Sequence, residues 1–359
     1  MATSTRVCAM TEPQARHDML QSTAPGAGTV RREGSVVVMP DVELAYESGV
    51  ELKARSQWSY ARMRFFRHKP AVVSLAILLL FALVAIFAKQ IAPYGFDEID
   101  LTNPDPSTGF AKSPRLEGWH LLGTDQLGRD YLSRVVYGIR TSLWVAIFVA
   151  LLATALGTAV GAVAGYYGKH IDNVLMRFTD LILTLPGIAV LLTAAVYFGS
   201  DDSELSLGPV TIPIPQPMKI GLILALLFWV GLARIVRGLF LSLREKEFVE
   251  AAKAAGASDL RIIMRHILPN CVGPIVVFTT LIVAAAILIE AALSFIGYGI
   301  QPPNAALGKL IVDGQSDGFV LWWLVTFPGL VILIIALCIN FVGDGLRDAL
   351  DPTQRRTRA

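Results

Sequence analysis

The 359-residue chain is too apolar for a soluble protein of its size. Apolar residues make up 54% of it and charged residues 17%, with a mean hydropathy of +0.56, which exceeds what a soluble core requires. The net charge of only +2 excludes the basic surplus typical of nucleic-acid-binding proteins. Cys8, Cys271 and Cys338 lack the CxxC spacing of metal or redox sites, so we expect neither a disulfide nor a metal site.

The N-terminal region has no sustained hydrophobic period. Residues 1–55 are rich in Ser, Thr, Gly, Pro and charge and are predicted to form a mobile cytoplasmic tail. The first apolar run begins at Ala71, too far along for a cleavable signal peptide, so we expect it to remain as a membrane span. Residues 56–70 mix aromatic and basic side chains, which indicates either a helix at the membrane surface or an ordinary aromatic flank of the first span.

Six apolar stretches are long enough to cross a bilayer, which takes about 20 residues. We therefore predict an all-α, polytopic membrane protein. The predicted spans cover residues 71–88, 141–168, 178–200, 219–243, 267–292 and 318–343. Residues 89–140 are predicted to be an extracytoplasmic loop, 141–350 a core with five spans, and 351–359 a cytoplasmic tail. Pro186 and Pro328 are expected to kink their helices.

The basic residues predict the topology. They concentrate before the first span, between spans two and three, between spans four and five, and in the C-terminal tail. By the positive-inside rule both termini are cytoplasmic. Arg129, Arg134 and Arg140 fall on the predicted outer side and resist this assignment. Arg234 and Arg237 are expected to snorkel to the cytoplasmic interface at the end of span four.

The segment between spans four and five, residues 244–268, is polar and rich in alanine. A helix over Glu245–Ala255 is predicted to end in a left-handed turn at Gly256, and Ser258 or Asp259 to cap a second short helix that ends near Pro269. Alanines leave the first helix smooth enough to enter a partner's groove. Spacing alone leaves docking and a plain interhelical loop about equally favoured.

A family resemblance decides between these two. Glu250-Ala251-Ala252, Gly256 and Leu268-Pro269 resemble the EAA loop of ABC importer permeases, although His266 replaces an apolar residue of the general motif. Three other segments point to the same branch, the C-type subunit of the dipeptide/oligopeptide permease family, and the similarity covers about residues 60–353. These segments are Gly123-Thr124-Asp125 with Gly128-Arg129-Asp130, Glu290 to Phe295 with Gln301-Pro302-Pro303, and Gly343 to Asp348.

The resemblance implies a division of labour. This chain would pair with a homologous second permease as a heterodimer, two ABC ATPases would supply energy, and an extracytoplasmic peptide-binding protein would deliver peptide. The expected location is the bacterial inner membrane, in contact with lipid and without nucleic acid. The ATPase-coupling residues that it implies are Glu250, Ala251, Ala252, Ala255, Gly256, Leu268 and Pro269.

The sequence supports that division of labour. It contains no G-x-x-x-x-G-K-[ST] phosphate loop, so we expect ATP and Mg²⁺ to bind the partner subunits and no cofactor to bind this chain. It also lacks a nucleophile elbow, an H-E-x-x-H motif and a paired-carboxylate site. We therefore predict no catalytic residue and no enzymatic activity of its own.

Three further features belong to the predicted spans. Gly157, Gly161 and Gly165 share one helix face, and we expect them to pack against another helix. Glu290 is predicted near the outer end of span five, either as a functional carboxylate or as a structural one paired with an arginine or a backbone amide. Asp180 is read as a simple helix-start residue.

Other functions remain open at this stage. The same machinery in related systems is implied to carry nickel complexes, haem or other small solutes. A more distant alternative is a proton-coupled secondary transporter in which Glu290 or Asp180 carries protons. A third is a membrane scaffold or sensor that acts through residues 1–55.

Overall fold

The computed structural model describes residues 57–99, 111–114, 120–199, 204–207, 210–301, 304–315 and 320–350. The predicted tails, 1–55 and 351–359, lie outside the described residues. The described part is mostly helical, and its paired strands form a short antiparallel hairpin, β1 Glu204–Leu207 with β2 Val210–Pro213.

The first half of the fold contains two long helices and one broken helix. A short helix precedes the first span, and a single turn follows it. These elements are α1 Gln57–Arg67, α2 Lys69–Ile86, α3 Ala88–Ile91, α4 Tyr131–Tyr167, α5 Lys169–Thr184 and α6 Gly187–Gly199.

The second half contains three long helices and the short helices between them. These are α7 Gln216–Leu243, α8 Glu247–Ala254, α9 Asp259–Arg261, a π-helical turn Ile262–Ile267, α10 Leu268–Phe295, α11 Leu307–Gln315 and α12 Trp323–Leu350.

Five helical segments are long and apolar enough to cross a membrane. They are α2, α4, α7, the continuous segment Asp259–Phe295, and α12. The α5–α6 pair qualifies only as a sixth, broken span, because its halves are bent by 82°. The break falls at Leu185 and Pro186, where proline prevents the helix from continuing.

The packing of α4 on α7 shows that the segment of chain that links these two helices crosses the bundle. Gly157 of α4 lies against Trp229 of α7, and Gly165 lies against Phe240. The two helices therefore run parallel, and the chain must return to the other end of the bundle before α7 begins. The broken pair α5–α6, followed by the hairpin, makes that return, which gives six crossings.

The helix ends fall into two groups. At the end where α4 finishes, Tyr166 bonds to Asp259, and Gly273 of α10 lies beside Leu350 of α12. At the end where α4 begins, the Tyr94 amide donates to Ser133 Oγ at 3.2 Å, and Gln216 Oε1 accepts from the Gln301 amide at 2.9 Å. The end of the bundle where α4 finishes is called the Tyr166 end below, and the end where α4 begins is called the Tyr131 end.

Several helices extend beyond the predicted spans. The helix that contains the second span begins at Tyr131, before the predicted start of the span at 141, because Asp130 caps it by accepting from the Ser133 amide at 2.7 Å. The helix that contains the third span begins at Lys169, before the predicted start at 178, since its charged residues are accommodated in the helix. The last extends from Trp323 to Leu350 and continues through Pro328. Sequence reasoning missed the hairpin.

The three glycines of α4 form a close contact with α7. A Cβ on Gly157 would lie 2.7 Å from the Trp229 carbonyl oxygen, and one on Gly161 would lie 2.8 Å from Val236 Cβ. One on Gly165 would lie 2.7 Å from the Arg237 carbonyl oxygen. A side chain at any of them would push α4 away from α7, so these glycines pack in the manner predicted.

We expect Gly161→Ala to destabilise the bundle by about 1–3 kcal/mol, because the added methyl group overpacks the α4–α7 contact. The measurement is the thermal unfolding midpoint of the purified chain in detergent. The control is Gly238→Ala on α7, where an added Cβ meets nothing within 4 Å and alanine favours the helix. Equal midpoints for the two variants would contradict the close contact.

Candidate functional site

Most of the predicted docking residues lie on a short protrusion at the Tyr166 end, which comprises residues 244–261. Helix α8 covers Glu247–Ala254, slightly shorter than the predicted Glu245–Ala255. Glu247 and Glu250 lie in its first turn and Lys253 in its last, an arrangement that complements the helix dipole. The sequence thus favours a stable helix at this point despite its small size.

Gly256 ends α8 in the left-handed conformation that the sequence predicts, with a φ of +77°. Its amide donates to the Lys253 carbonyl at 2.9 Å, and the Ala257 amide donates to the Ala252 carbonyl at 3.1 Å. This pair of bonds is a Schellman motif, which satisfies the last carbonyls of the helix. A Cβ on Gly256 would meet nothing within 4 Å, so the turn faces open space.

One side of α8 is buried against the membrane bundle. Val249 is 0% exposed and belongs to a hydrophobic group that joins α4, α7, α8, the π-helical turn and α10. We call this group the Val249 cluster. Its buried members are Ala162, Tyr166, Leu232, Val236, Phe240, Val249, Ile262, Ile263, Ile267, Cys271 and Ile275.

The predicted coupling residues divide between the two sides of α8 and the start of α10. Glu250, Ala251, Ala255 and Gly256 are exposed and form the outer surface of the protrusion. Ala252 packs on the Val249 cluster, as does Leu268 at the start of α10. Pro269 is exposed but lies in α10 beyond the π-helical turn. The protrusion therefore presents one alanine-rich outer face and one apolar inner face.

Pro269 does not end the second helix, contrary to the sequence prediction. Asp259 to Phe295 is one continuous helical segment. Proline lacks an amide hydrogen, so it has no bond to lose in the first turn of α10. The wider π-helical turn precedes it, and there the Leu268 amide bonds to the Ile263 carbonyl. The chain from Asp259 into α10 is thus uninterrupted helix.

Polar contacts fix the protrusion to the end of α4. Tyr166 Oη donates to Asp259 Oδ1 at 2.7 Å. Arg244 Nη1 donates to the carbonyls of Gly165 and Tyr166, each at 3.3 Å, and Lys253 Nζ lies 5.7 Å from the centre of the Tyr166 ring. The protrusion and the ends of α4 and α7 therefore form one mechanical unit.

Two ion pairs connect α5 to α7 near the same end. Arg237 donates through Nε and Nη2 to the two carboxylate oxygens of Asp172, the second contact at 2.7 Å. Arg234 donates to Asp180. Arg234 and Arg237 are therefore paired with carboxylates, whereas the sequence predicted only that they extend to the cytoplasmic interface. Asp180 lies well inside α5, not at a helix start, and its partner is Arg234.

Glu290 is buried, with a relative exposure of 1%. Its carboxylate accepts from Ser142 Oγ of α4 at 3.1 Å and from Ser294 Oγ at 2.9 Å. Ser142 Oγ also accepts from the Leu307 amide at 3.3 Å. The partners are thus serine hydroxyls, rather than the arginine or backbone amide predicted from the sequence. Glu290 ties α10 to α4 and, through Ser142, to α11.

The Tyr131 end carries a charged network that sequence reasoning missed. Asp125 accepts from Arg129 Nε at 2.7 Å and from Arg134, whose Nη2 also donates to Asp313 Oδ2 at 3.3 Å. Lys309 Nζ lies 3.1 Å from Asp313 Oδ1. These residues line a cavity of about 470 Å³. Two of the three arginines that conflicted with the predicted topology therefore have their charge neutralised.

The comparisons with known proteins identify the architecture. Residues 157–356 match the family described as binding-protein-dependent transport system inner membrane component, and residues 56–114 match the N-terminal transmembrane domain of oligopeptide transport permease C. The chain belongs to this permease family. It is accordingly a multi-pass membrane subunit of an ABC importer, which confirms the resemblance read from its motifs.

Individual relatives match along almost their whole length. The permease is 38% identical to the oligopeptide transport system permease protein OppC of Escherichia coli strain K12 over 310 residues, which are 86% of this chain and 96% of that one. It is 38% identical to OppC of Mycobacterium bovis over 295 residues, or 82% and 94%. Among solved structures, an inward-facing MetNI methionine ABC transporter matches with a TM-score of 0.44 at 18% identity, covering 61% of this permease and 97% of that chain.

We expect Val249→Ala to loosen α8 from the bundle by about 1–3 kcal/mol, because it leaves a cavity in the Val249 cluster. Amide hydrogen exchange across Glu247–Ala254 should become faster, while exchange in α4 stays unchanged. Phe248→Ala removes a neighbouring side chain that is exposed and should leave amide exchange unchanged in both α8 and α4. Equal exchange in the two variants would show that Val249 does not anchor the protrusion.

We expect Ser142→Ala to weaken the contact between α4 and α11. The change removes a donor to Glu290 and the acceptor of the Leu307 amide, and a buried group left unpaired costs about 1–3 kcal/mol. Exchange at the Leu307 amide measures the effect. Thr141→Ala is the control, because the Thr141 hydroxyl bonds only within its own helix, to the Tyr137 carbonyl. Unchanged exchange in Ser142→Ala would contradict the assignment.

Proposed function

We propose that this permease forms half of the translocation pore of an importer for dipeptides and oligopeptides, and that partner ATPases drive it through the α8 protrusion. Its relatives OppC are named for oligopeptide transport, and they match over 94–96% of their own length. The second half of the pore is a homologous permease, and an extracytoplasmic binding protein delivers the peptide.

The Tyr166 end is the cytoplasmic end. The basic residues of the described chain concentrate there, from Lys69 at the start of α2 through Lys169 and Arg244 to Arg347 in α12, as the positive-inside rule requires. At the Tyr131 end, Arg129 and Arg134 are neutralised by Asp125 and Asp313. Both termini are therefore cytoplasmic, and the permease is oriented in the bacterial inner membrane with its protrusion toward the cytosol.

The single observation that carries the coupling role is the two-sided construction of α8. Its outer face offers small side chains and Glu250, which suit a groove with a basic residue. Its inner face is bound to α4, α7 and α10 through Val249. A protrusion that is exposed on one side and firmly packed on the other transmits force from a partner to the spans.

Transport then proceeds by alternating access. When two ATPases bind ATP and close, they move the docked protrusions, and the Val249 cluster carries that motion into α4, α7 and α10. ATP and Mg²⁺ reside on the ATPases, consistent with a sequence that contains no phosphate loop. This permease supplies the path and the coupling and hydrolyses nothing itself.

We expect a bulky residue at Gly256 to uncouple the transporter. Gly256→Trp places a large side chain where the turn meets the ATPase, and we predict loss of ATP-driven peptide uptake by about tenfold or more, equivalent to about 1.4 kcal/mol of lost coupling. Uptake is measured in vesicles that hold the whole transporter, together with co-purification of the ATPases.

Two controls separate docking from backbone strain. Gly256→Asn keeps a residue that tolerates the left-handed conformation and should retain most uptake. Gly297 lies at the Tyr131 end, has a φ of +98°, and an added Cβ would meet nothing within 4 Å there. Gly297→Trp therefore introduces a similar backbone strain far from the protrusion and should leave the ATPases bound. Unchanged uptake in Gly256→Trp, or uptake driven by a proton gradient without ATP, would contradict the proposed function.

A further inference from the structure

The ion pair between Asp180 and Arg234 lies well before the end of α7, level with a charge-free part of α4. Arg234 is nine residues before the end of α7 at Leu243, which is about 14 Å at helical rise. The adjoining turn of α7, at Ala233, packs on Gly157 and Gly161, within a stretch of α4 that carries no charge from Thr141 to Gly168. The pair is therefore level with an apolar part of the bundle.

The two ion pairs of α5 and α7 differ in exposure. The Asp172 and Arg237 side chains are 15% and 34% exposed and make two hydrogen bonds. Asp180 and Arg234 are 55% and 48% exposed and make one. The first pair is a structural clamp between helices. The second keeps free donor and acceptor positions that face outward.

The surface beside Arg234 is open. A Cβ added to Gly238, one helical turn further along α7, would meet nothing within 4 Å, and Leu185 and Pro186 at the break between α5 and α6 are exposed. A charged side chain that faces hydrocarbon near the middle of a span is unfavourable. Broken helices at membrane depth occur where protein or a water-filled cavity covers them. Ionisable residues in spans also mark transport paths.

We infer that Asp180 and Arg234 line the translocation path and bind the two charged ends of a peptide as it passes. The carboxylate of Asp180 complements an α-ammonium group, and the guanidinium of Arg234 complements an α-carboxylate with charge-assisted hydrogen bonds. When no peptide is bound, Asp180 and Arg234 form the ion pair seen in the structure. The inference rests on the proposed function and identifies the charged ends of the peptide as the groups that this permease binds.

Thiol labelling tests whether Arg234 faces the path. The experiment uses the whole transporter in vesicles, with Arg234→Cys in a Cys8→Ser background, where Cys271 and Cys338 are buried. A cationic, membrane-impermeant thiol reagent should label position 234, and peptide and ATP together should slow the reaction. Val236→Cys, at a position buried against α4, should stay unlabelled. No labelling of Arg234→Cys would overturn the inference, because lipid or the partner permease then covers the site.

Transport measurements test the ligand. Arg234→Gln should lower uptake of a free tripeptide relative to its C-terminal amide by about tenfold, the effect of one lost charged hydrogen bond. Asp180→Asn should leave that ratio unchanged and lower uptake relative to the N-acetylated peptide instead. Equal loss of all cargoes in both variants would overturn the inference. If the unaltered transporter fails to import any peptide with ATP, it is the proposed function that fails.

Discussion

The close approach of α4 and α7 is the contact on which the rest of this permease depends. Three glycines spaced four residues apart remove every side chain from one face of α4, so the backbone of α7 lies directly against it. The contact is parallel, which forces the chain between the two helices to cross the bundle. A broken helix and a hairpin therefore become necessary, and α8 is placed where both helices end.

The position of the α8 protrusion follows from that arrangement. Val249, Tyr166 and Phe240 meet because α4 and α7 finish at the same level, and the π-helical turn brings Ile262 and Ile267 to the same cluster. Arg244 caps the carbonyls of α4 from the end of α7. A small polar segment gains rigidity in this way from the apolar helices beneath it, and it remains exposed on the side that a partner would contact.

Charges inside the spans are handled by pairing rather than by exclusion. Asp172 with Arg237 is a neutral pair of one carboxylate and one guanidinium group between α5 and α7. At the Tyr131 end, Asp125 and Asp313 together offset Arg129 and Arg134. Glu290 is held instead by two serine hydroxyls. These contacts explain how the helices that contain the second and third spans continue through charged residues beyond their charge-free stretches.

The sequence by itself determined the membrane class, the number of crossings, the family and the turn at Gly256, because those depend on composition, hydrophobic length and local conformation. It also predicted a kink at Pro186, although not its size of 82°. It could not determine the continuity of Asp259–Phe295 through Pro269, or the distant partners of Glu290, Arg134 and Arg234. Those partners are separated from them by 148, 179 and 54 residues. Only the tertiary structure brings such groups together, because the relative level and direction of packed helices decide which side chains meet.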